Sequence, residues 1–174
     1  MDYKILILSA GLGSRLGKSY KNLNKALVSI NNKPVISYLI EKFPFDIEIV
    51  IALGHKGDIL RDYIEISHPK NKFRFVYVDK YFGKGSGLGY SILACKEFLQ
   101  CPFIFSPNDS IVSNEIPIPD YNWLGFSDTE LNNQYRSLKI NNDYVEKILE
   151  KDEIVSSCQK PYIGLAGIKD YKYF

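Results

Sequence analysis

Ile5, Leu6, Ile7 and Leu8 are apolar at successive positions, the pattern of a strand buried on both faces of a parallel sheet. Ile47, Ile49, Val50, Ile51 and Leu53 repeat it and end at Gly54. Phe73, Phe75, Tyr77 and Val78 alternate or nearly so and predict a third strand, and Phe103-Ile104-Phe105 a fourth. Helical spacing lies between these runs. Val35, Ile36, Leu39, Ile40 and Phe43 follow a turn at Asn31-Asn32-Lys33, with Pro34 suited to the first helical turn and Pro44 to the stop. Ile59, Leu60, Tyr63 and Ile64 share one face of a helix over 57–66, and a further helix is predicted over 86–99. The order β-α-β-α-β-α-β predicts an α/β fold, a doubly wound, Rossmann-like sheet in three α/β/α layers. After Asp109 the texture changes. Trp123–Phe126, Ser137–Ile140, Tyr144–Leu149 and Ile163–Ile168 read as strands without long helices between them, so the sheet is expected to be mixed.

Composition narrows the classes. A chain of 174 residues with 45% hydrophobic residues, 13 Tyr and 10 Phe is expected to fold as a single domain over 1–174. The formal charge of +2 gives no basic excess for nucleic acid, and no apolar run approaches a membrane span of about 20 residues. The amino terminus lacks a signal-peptide layout, and Cys95, Cys101 and Cys158 have no metal spacing, so reduced thiols in a cytoplasmic protein are expected. His55 and His68 have no partner set and read as surface or loop residues.

The chemistry concentrates after the first strand. Ser9, Ala10, Gly11, Gly13 and Ser14 form a small, glycine-rich loop whose backbone N–H groups can cradle an anion. Arg15 and Lys25 add positive charge at its rim, which predicts a nucleotide-phosphate site. A P-loop would need a glycine where Leu12 stands, although Gly17-Lys18-Ser19 supplies its end. In the dinucleotide fingerprint Gly11, Gly13 and Gly17 are one residue out of register, and no acid follows the second strand.

Gly11-Leu12-Gly13-Ser14-Arg15-Leu16, with Asn24-Lys25-Ala26-Leu27 downstream, resembles the signature of the sugar-phosphate nucleotidyltransferases, G-x-G-[ST]-R-x followed by Pro-Lys-x-Leu. The lysine and leucine match, and Asn24 stands in place of the proline. The resemblance implies a nucleotide-diphospho-sugar transferase-like fold, with a nucleotide-binding half over 1–110 and an acceptor-binding half over 111–174. It implies an enzyme that moves NMP from an NTP to a phosphorylated acceptor and releases pyrophosphate. Arg15 would hold the outer phosphates, Lys25 would stabilise charge at the α-phosphate, and Asp109, just past the fourth strand, would bind Mg²⁺. Gly85 or Gly87 would let the backbone approach the base, with Ser86 capping the following helix. Val145-x-x-Ile148-x-Glu150-Lys151 resembles the segment whose lysine meets the acceptor phosphate, and Gly164–Ile168 the strand that lines the acceptor pocket. Asp79-Lys80-Tyr81 is similar to the stretch in phosphocholine cytidylyltransferase types and points to cytosine.

Two departures keep other readings open. Asp152 replaces the proline expected after Lys151. Family enzymes also carry a second metal-binding acid beyond the pocket wall, for which Asp170 is the late candidate. The chain therefore reads as the amino-terminal portion of a longer protein or as a degenerate relative. A non-catalytic nucleotide- or sugar-nucleotide-binding module and a P-loop-like kinase remain as alternatives. The expected partners are the NTP and a phosphorylated small molecule (hexose 1-phosphate, phosphocholine or another), with no nucleic acid, no membrane and room for a homo-oligomer.

Overall fold

The computed structural model describes residues 2–17, 22–129, 135–151, 153 and 159–173. Strand β1 spans Lys4–Ser9, and it is followed by a short hairpin, β2 (Ser29–Ile30) and β3 (Lys33–Pro34). Asn31 and Asn32, both at positive φ, form its two-residue turn, which suits asparagine. Helix α1 covers Val35–Ile40, with Pro34 as its N-cap residue and not inside the first turn. Strand β4 (Glu48–Leu53), helix α2 (Gly57–Ser67), strand β5 (Lys72–Tyr77), helix α3 (Leu88–Ala94) and strand β6 (Phe103–Pro107) complete the alternating half. The helix expected over 86–99 is shorter. It ends at Ala94 and gives way to a 3-10 turn over Lys96–Phe98.

Strands β1, β4, β5 and β6 are parallel and lie in the order β5-β4-β1-β6. The chain moves outward from β1 through β4 to β5, then crosses back to the other side of β1. Right-handed crossovers in two directions place helices on opposite faces. Period-two alternation splits the side chains accordingly. Ile5, Ile7, Ile49, Ile51 and Leu53 pack with Val35, Ile36, Leu39, Ile40, Leu60 and Ile64 from α1 and α2. Leu6, Val50 and Ala52 face the other layer, with Cys95, Leu99 and Phe103. Ile5, Leu6 and Ile7 are fully buried, each worth about 1.5–3 kcal/mol of transfer free energy. Burial pushes the Cys95 thiol up to about 12, so it stays protonated and inert. Cys101 is likewise a free thiol, and Cys158 lies outside the described residues.

His68 lies just past the end of α2 and is half-buried, with partners that the sequence does not announce. It caps the carboxyl end of α2, and its Nε2 lies 2.9 Å from the Ser37 hydroxyl, which also meets the Tyr63 hydroxyl at 2.8 Å. Burial lowers its pKa, so the imidazole is held neutral as a packing element.

The second half supplies β7 (Trp123–Phe126), β8 (Ser137–Asn141), β9 (Tyr144–Leu149) and β10 (Gln159–Ile168). Strand β10 runs antiparallel to β6, to β7 and to β8, with β9 beyond β8, so the sheet is mixed and α/β. Asn142 and Asp143, again at positive φ, turn the β8–β9 hairpin. Among the described residues no helix is long and apolar enough to cross a membrane.

Candidate functional site

Strand order reverses at β1, because β4 and β6, its two neighbours, are reached by connections on opposite faces. Open α/β sheets leave a crevice at such a point, outside the carboxyl ends of the strands. A cleft of about 340 Å³ lies there, lined by Leu8, Ala10, Gly11 and Gly13 from the β1 side and by Pro107, Asn108 and Asp109 from the β6 side. Tyr81, Gly87 and Ser91 close it from the β5–α3 side, and Lys25 enters from the segment before the hairpin.

The glycine loop is shaped by two close approaches. Gly13 has φ +65 and heads a 3-10 turn over Ser14–Leu16, and a Cβ on it would meet the Lys25 Cβ at 3.2 Å. The lysine stem therefore lies against the loop backbone. Gly54, after β4, is tighter still. A Cβ there would fall 2.5 Å from the Ala10 carbonyl oxygen and 2.8 Å from the Tyr81 ring. The His55 N–H donates to that carbonyl at 2.9 Å, so the loop after β1 and the loop after β4 touch through their backbones. Gly54→Ala is expected to destabilise the chain by about 1–3 kcal/mol as the loops part, lowering the melting temperature by about 2–4 °C per kcal/mol. Thermal unfolding checks this; an unchanged midpoint would mean that the two loops are not in contact.

At the centre of the cleft the Lys25 Nζ lies 2.5 Å from Asp109 Oδ2. Their side chains are 23% and 45% exposed, so the pair is open to solvent and contributes little to stability. It brings together one cation and one carboxylate separated by 84 positions in the sequence.

Not every residue singled out from the sequence reaches the cleft. Ala10, Gly11, Gly13, Ser86, Gly87, Lys25 and Asp109 line it. Ser9 is fully buried on the opposite face of β1, and its hydroxyl makes no hydrogen bond among the described residues. Ser14 is exposed in the 3-10 turn, and the Arg15 side chain lies outside the described part of the structure, as do Lys18, Ser19 and Asp152. Gly85, at φ +84, faces the Lys80 ammonium instead of the cleft. Ser86 does not cap α3: its hydroxyl donates to the Gly83 carbonyl at 2.7 Å, and Gly87 is the N-cap residue.

On the acceptor side, Gly164 has φ +83 and packs on Pro107, next to the cleft. Nearby, the Ser110 hydroxyl donates to the Ile163 carbonyl at 3.1 Å and ties β10 to the loop that carries Asp109. Leu149 is level with Ser137 and Pro161, so β9 leads the exposed Lys151 toward the level of Gly164, two strands away. Asp170 is excluded as a second metal acid. Strand β10 is antiparallel, with Ile168 paired to Phe103, so Asp170 lies at the opposite edge of the sheet from the cleft. The Asn122 amide donates to it there at 2.6 Å.

Three residues of the site carried a weaker signal. Asn108 and Pro107 are cleft-lining through their place at the strand end. Tyr81 packs on Gly54 and reaches the cleft wall, which no spacing rule announces.

Among the described residues no three His, Cys, Asp or Glu side chains cluster as a metal site. The donor set nevertheless suits Mg²⁺ held chiefly by substrate oxygens. Asp109 offers a hard carboxylate at the cleft, and the Lys25 ammonium already sits on it as a cation.

No protein-family model matches the chain. It is 34% identical over 113 residues to the choline-phosphate cytidylyltransferase of Streptococcus pneumoniae, a match covering 64% of this chain and 47% of that one. It is 26% identical over 185 residues to the CTP:phosphoglutamine cytidylyltransferase of Campylobacter jejuni, covering 92% of this chain and 70% of that one. The chain thus spans less than half the length of the first relative. Its fold superposes on a UDP-glucose pyrophosphorylase solved with UDP-glucose, with a TM-score of 0.78 and 20% identity, over 97% of this chain and 76% of that one. With the G-x-G-S-R loop and its lysine at the switch point of this sheet, and these sequence relatives, the chain is similar to the sugar-phosphate nucleotidyltransferases.

Proposed function

We propose that the chain transfers NMP from an NTP to a phosphorylated acceptor and releases pyrophosphate. The observation that carries this reading is the meeting of Lys25 and Asp109 over a glycine loop at the sheet's switch point. An acceptor phosphate oxygen attacks the α-phosphorus, the bond from that phosphorus to the bridging oxygen breaks, and the electron pair leaves with pyrophosphate. A phosphate monoester with a second pKa of about 6 is already ionised at neutral pH, so the attack needs no general base.

The chain's own task is positioning and charge. The amides of Ala10, Gly11, Gly13 and Ser14 would cradle the phosphates. Lys25 would leave Asp109 for the α-phosphate, an exchange that costs little because the pair is solvated. Mg²⁺, when bound, supplies neutralising charge across phosphate oxygens, and Asp109 would hold it. The backbone at Gly87, with Gly85 shaping the loop, would face the base. Lys151 would meet the acceptor phosphate and Gly164 would line its pocket.

Two relatives are named as cytidylyltransferases acting on phosphorylated metabolites that are not sugars. CTP with phosphocholine or another small phosphorylated acceptor is therefore the first pair to try. The test is a pyrophosphate-release screen of four NTPs against phosphorylated acceptors, hexose 1-phosphates included, with and without Mg²⁺. Pyrophosphate formed only with both substrates supports the reading. Nucleotide binding without turnover would mean a binding module, and NDP as product would mean a kinase.

Arg15 provides a separate check on the phosphate cradle. Its guanidinium fork suits bidentate contact with the outer phosphates. Arg15→Ala is expected to weaken NTP binding about 10–100-fold, since a hydrogen bond to a charged group is worth about 1.5–3 kcal/mol, with little change in apo stability. Calorimetric titration reads the loss, and an unchanged affinity would remove Arg15 from the site.

A further inference from the structure

We infer that Asn24 is a positioning residue that sets where Lys25 points; its value to turnover rests on the role proposed above for Lys25. Asn24 is fully buried, and its carboxamide is saturated. Its Nδ2 donates to the Ser9 carbonyl at 3.0 Å and to the His55 carbonyl at 2.7 Å. Its Oδ1 accepts from the Ala26 N–H at 3.0 Å, which caps the 3-10 turn Lys25–Leu27. Ser9 ends β1, and His55 stands two residues past the end of its neighbour β4. The β1–β4 pairing runs out at Ser9 and Leu53. Beyond that point the His55 N–H still reaches the Ala10 carbonyl, and Asn24 adds two side-chain bonds that fasten the turn bearing Lys25 to the end of β1 and to the loop after β4.

Only a short carboxamide can do this. Aspartate keeps the acceptor but turns oxygens toward two carbonyls, and glutamine is one methylene too long. Serine and alanine leave both carbonyls without this donor. The backbone of Asn24, at φ −68 and ψ 137, is one that proline also adopts. The side chain thus adds three directed bonds to a backbone that would be extended without them. Lys25 is the next residue, its stem lies on Gly13, and its ammonium must span to Asp109 at the end of β6. Misplacing such a group by about 1 Å is enough to cost on the order of 10²-fold in rate.

The test is lysine footprinting of the apo protein with acetic anhydride, comparing wild type with Asn24→Ser and Asn24→Gln. Acetylation of Lys25 is expected to rise in both variants while that of Lys42, anchored on the Ser113 carbonyl, stays constant. An unchanged Lys25, or an equal rise at every lysine in both variants, would overturn the assignment. The second arm is a cycle on turnover. Asn24→Ser should lower kcat about 10–100-fold with a small change in KM for NTP, and should add almost nothing in a Lys25→Ala background. Equal losses in both backgrounds would assign Asn24 a merely structural role. A Lys25→Ala variant with normal kcat would instead refute the role of Lys25 and leave the footprint standing on its own.

Discussion

Lys25→Ala is expected to lower kcat by about 10²–10³-fold with a smaller effect on NTP binding. A preorganised charge aimed at a developing anion is worth about 2.7–4 kcal/mol, and each 1.36 kcal/mol is about tenfold in rate. The geometry supplies the preorganisation. The Lys25 stem is packed on the loop backbone at Gly13, and its ammonium is held at the carboxylate of Asp109, inside the cleft. Losing the ion pair itself should hardly move the melting temperature, because Asp109 is 45% exposed. Lys25→Arg is not expected to restore the rate, since a planar fork does not replace a compact ammonium on this stem. Steady-state kinetics on the substrate pair found by the pyrophosphate screen would decide, and a variant with near-normal kcat would refute the role.

Asp109→Asn is expected to abolish Mg²⁺-dependent turnover, a loss of about 10²-fold or more, because a metal at the phosphates contributes several kcal/mol of charge stabilisation. The substitution keeps shape and still accepts a hydrogen bond from Lys25, so the variant should fold as wild type does and keep metal-free nucleotide binding. A binding readout accompanies the kinetic one: Mg²⁺ should tighten NTP affinity in wild type and leave it unchanged in the variant. If Mg²⁺ tightened binding equally in both, the metal would be held elsewhere. Among the described residues lining the cleft Asp109 is the one acid, which makes the substitution decisive.

The alternating half of the fold was legible because its signals are local. Two apolar runs with the pattern of strands buried on both faces, an alternating third and a short apolar fourth announce the strands, and helical spacing between them announces crossovers. The glycine loop was legible for a similar reason: residue type and spacing within a few positions fix the backbone it can adopt. Helix α3 was overextended from 88–94 to 86–99, since Ser86 turns back to Gly83 and Gly87 stands as an extended N-cap. His68 reads from sequence as a surface or loop residue with no partner set, and its partner, Ser37, lies 31 residues earlier on α1.

By itself the sequence pointed to the α/β class, to the loop Gly11–Leu16, and to Lys25 and an acid past the fourth strand as separate candidates, without pairing the two. Only the tertiary structure decided which edge each residue occupies. The antiparallel run of β10 carries Asp170 away from the cleft, a fact that follows from strand direction and not from residue type. Ser9 is turned away from the cleft by the two-residue alternation of β1, while Leu8 and Ala10 are turned toward it. Asn24 read as a departure from a motif, and the fold makes it the residue that ties β1, β4 and the Lys25 turn together. Short-range pattern fixes backbone shape, whereas a site is made of distances between strand ends, and those depend on how the strands are ordered and directed.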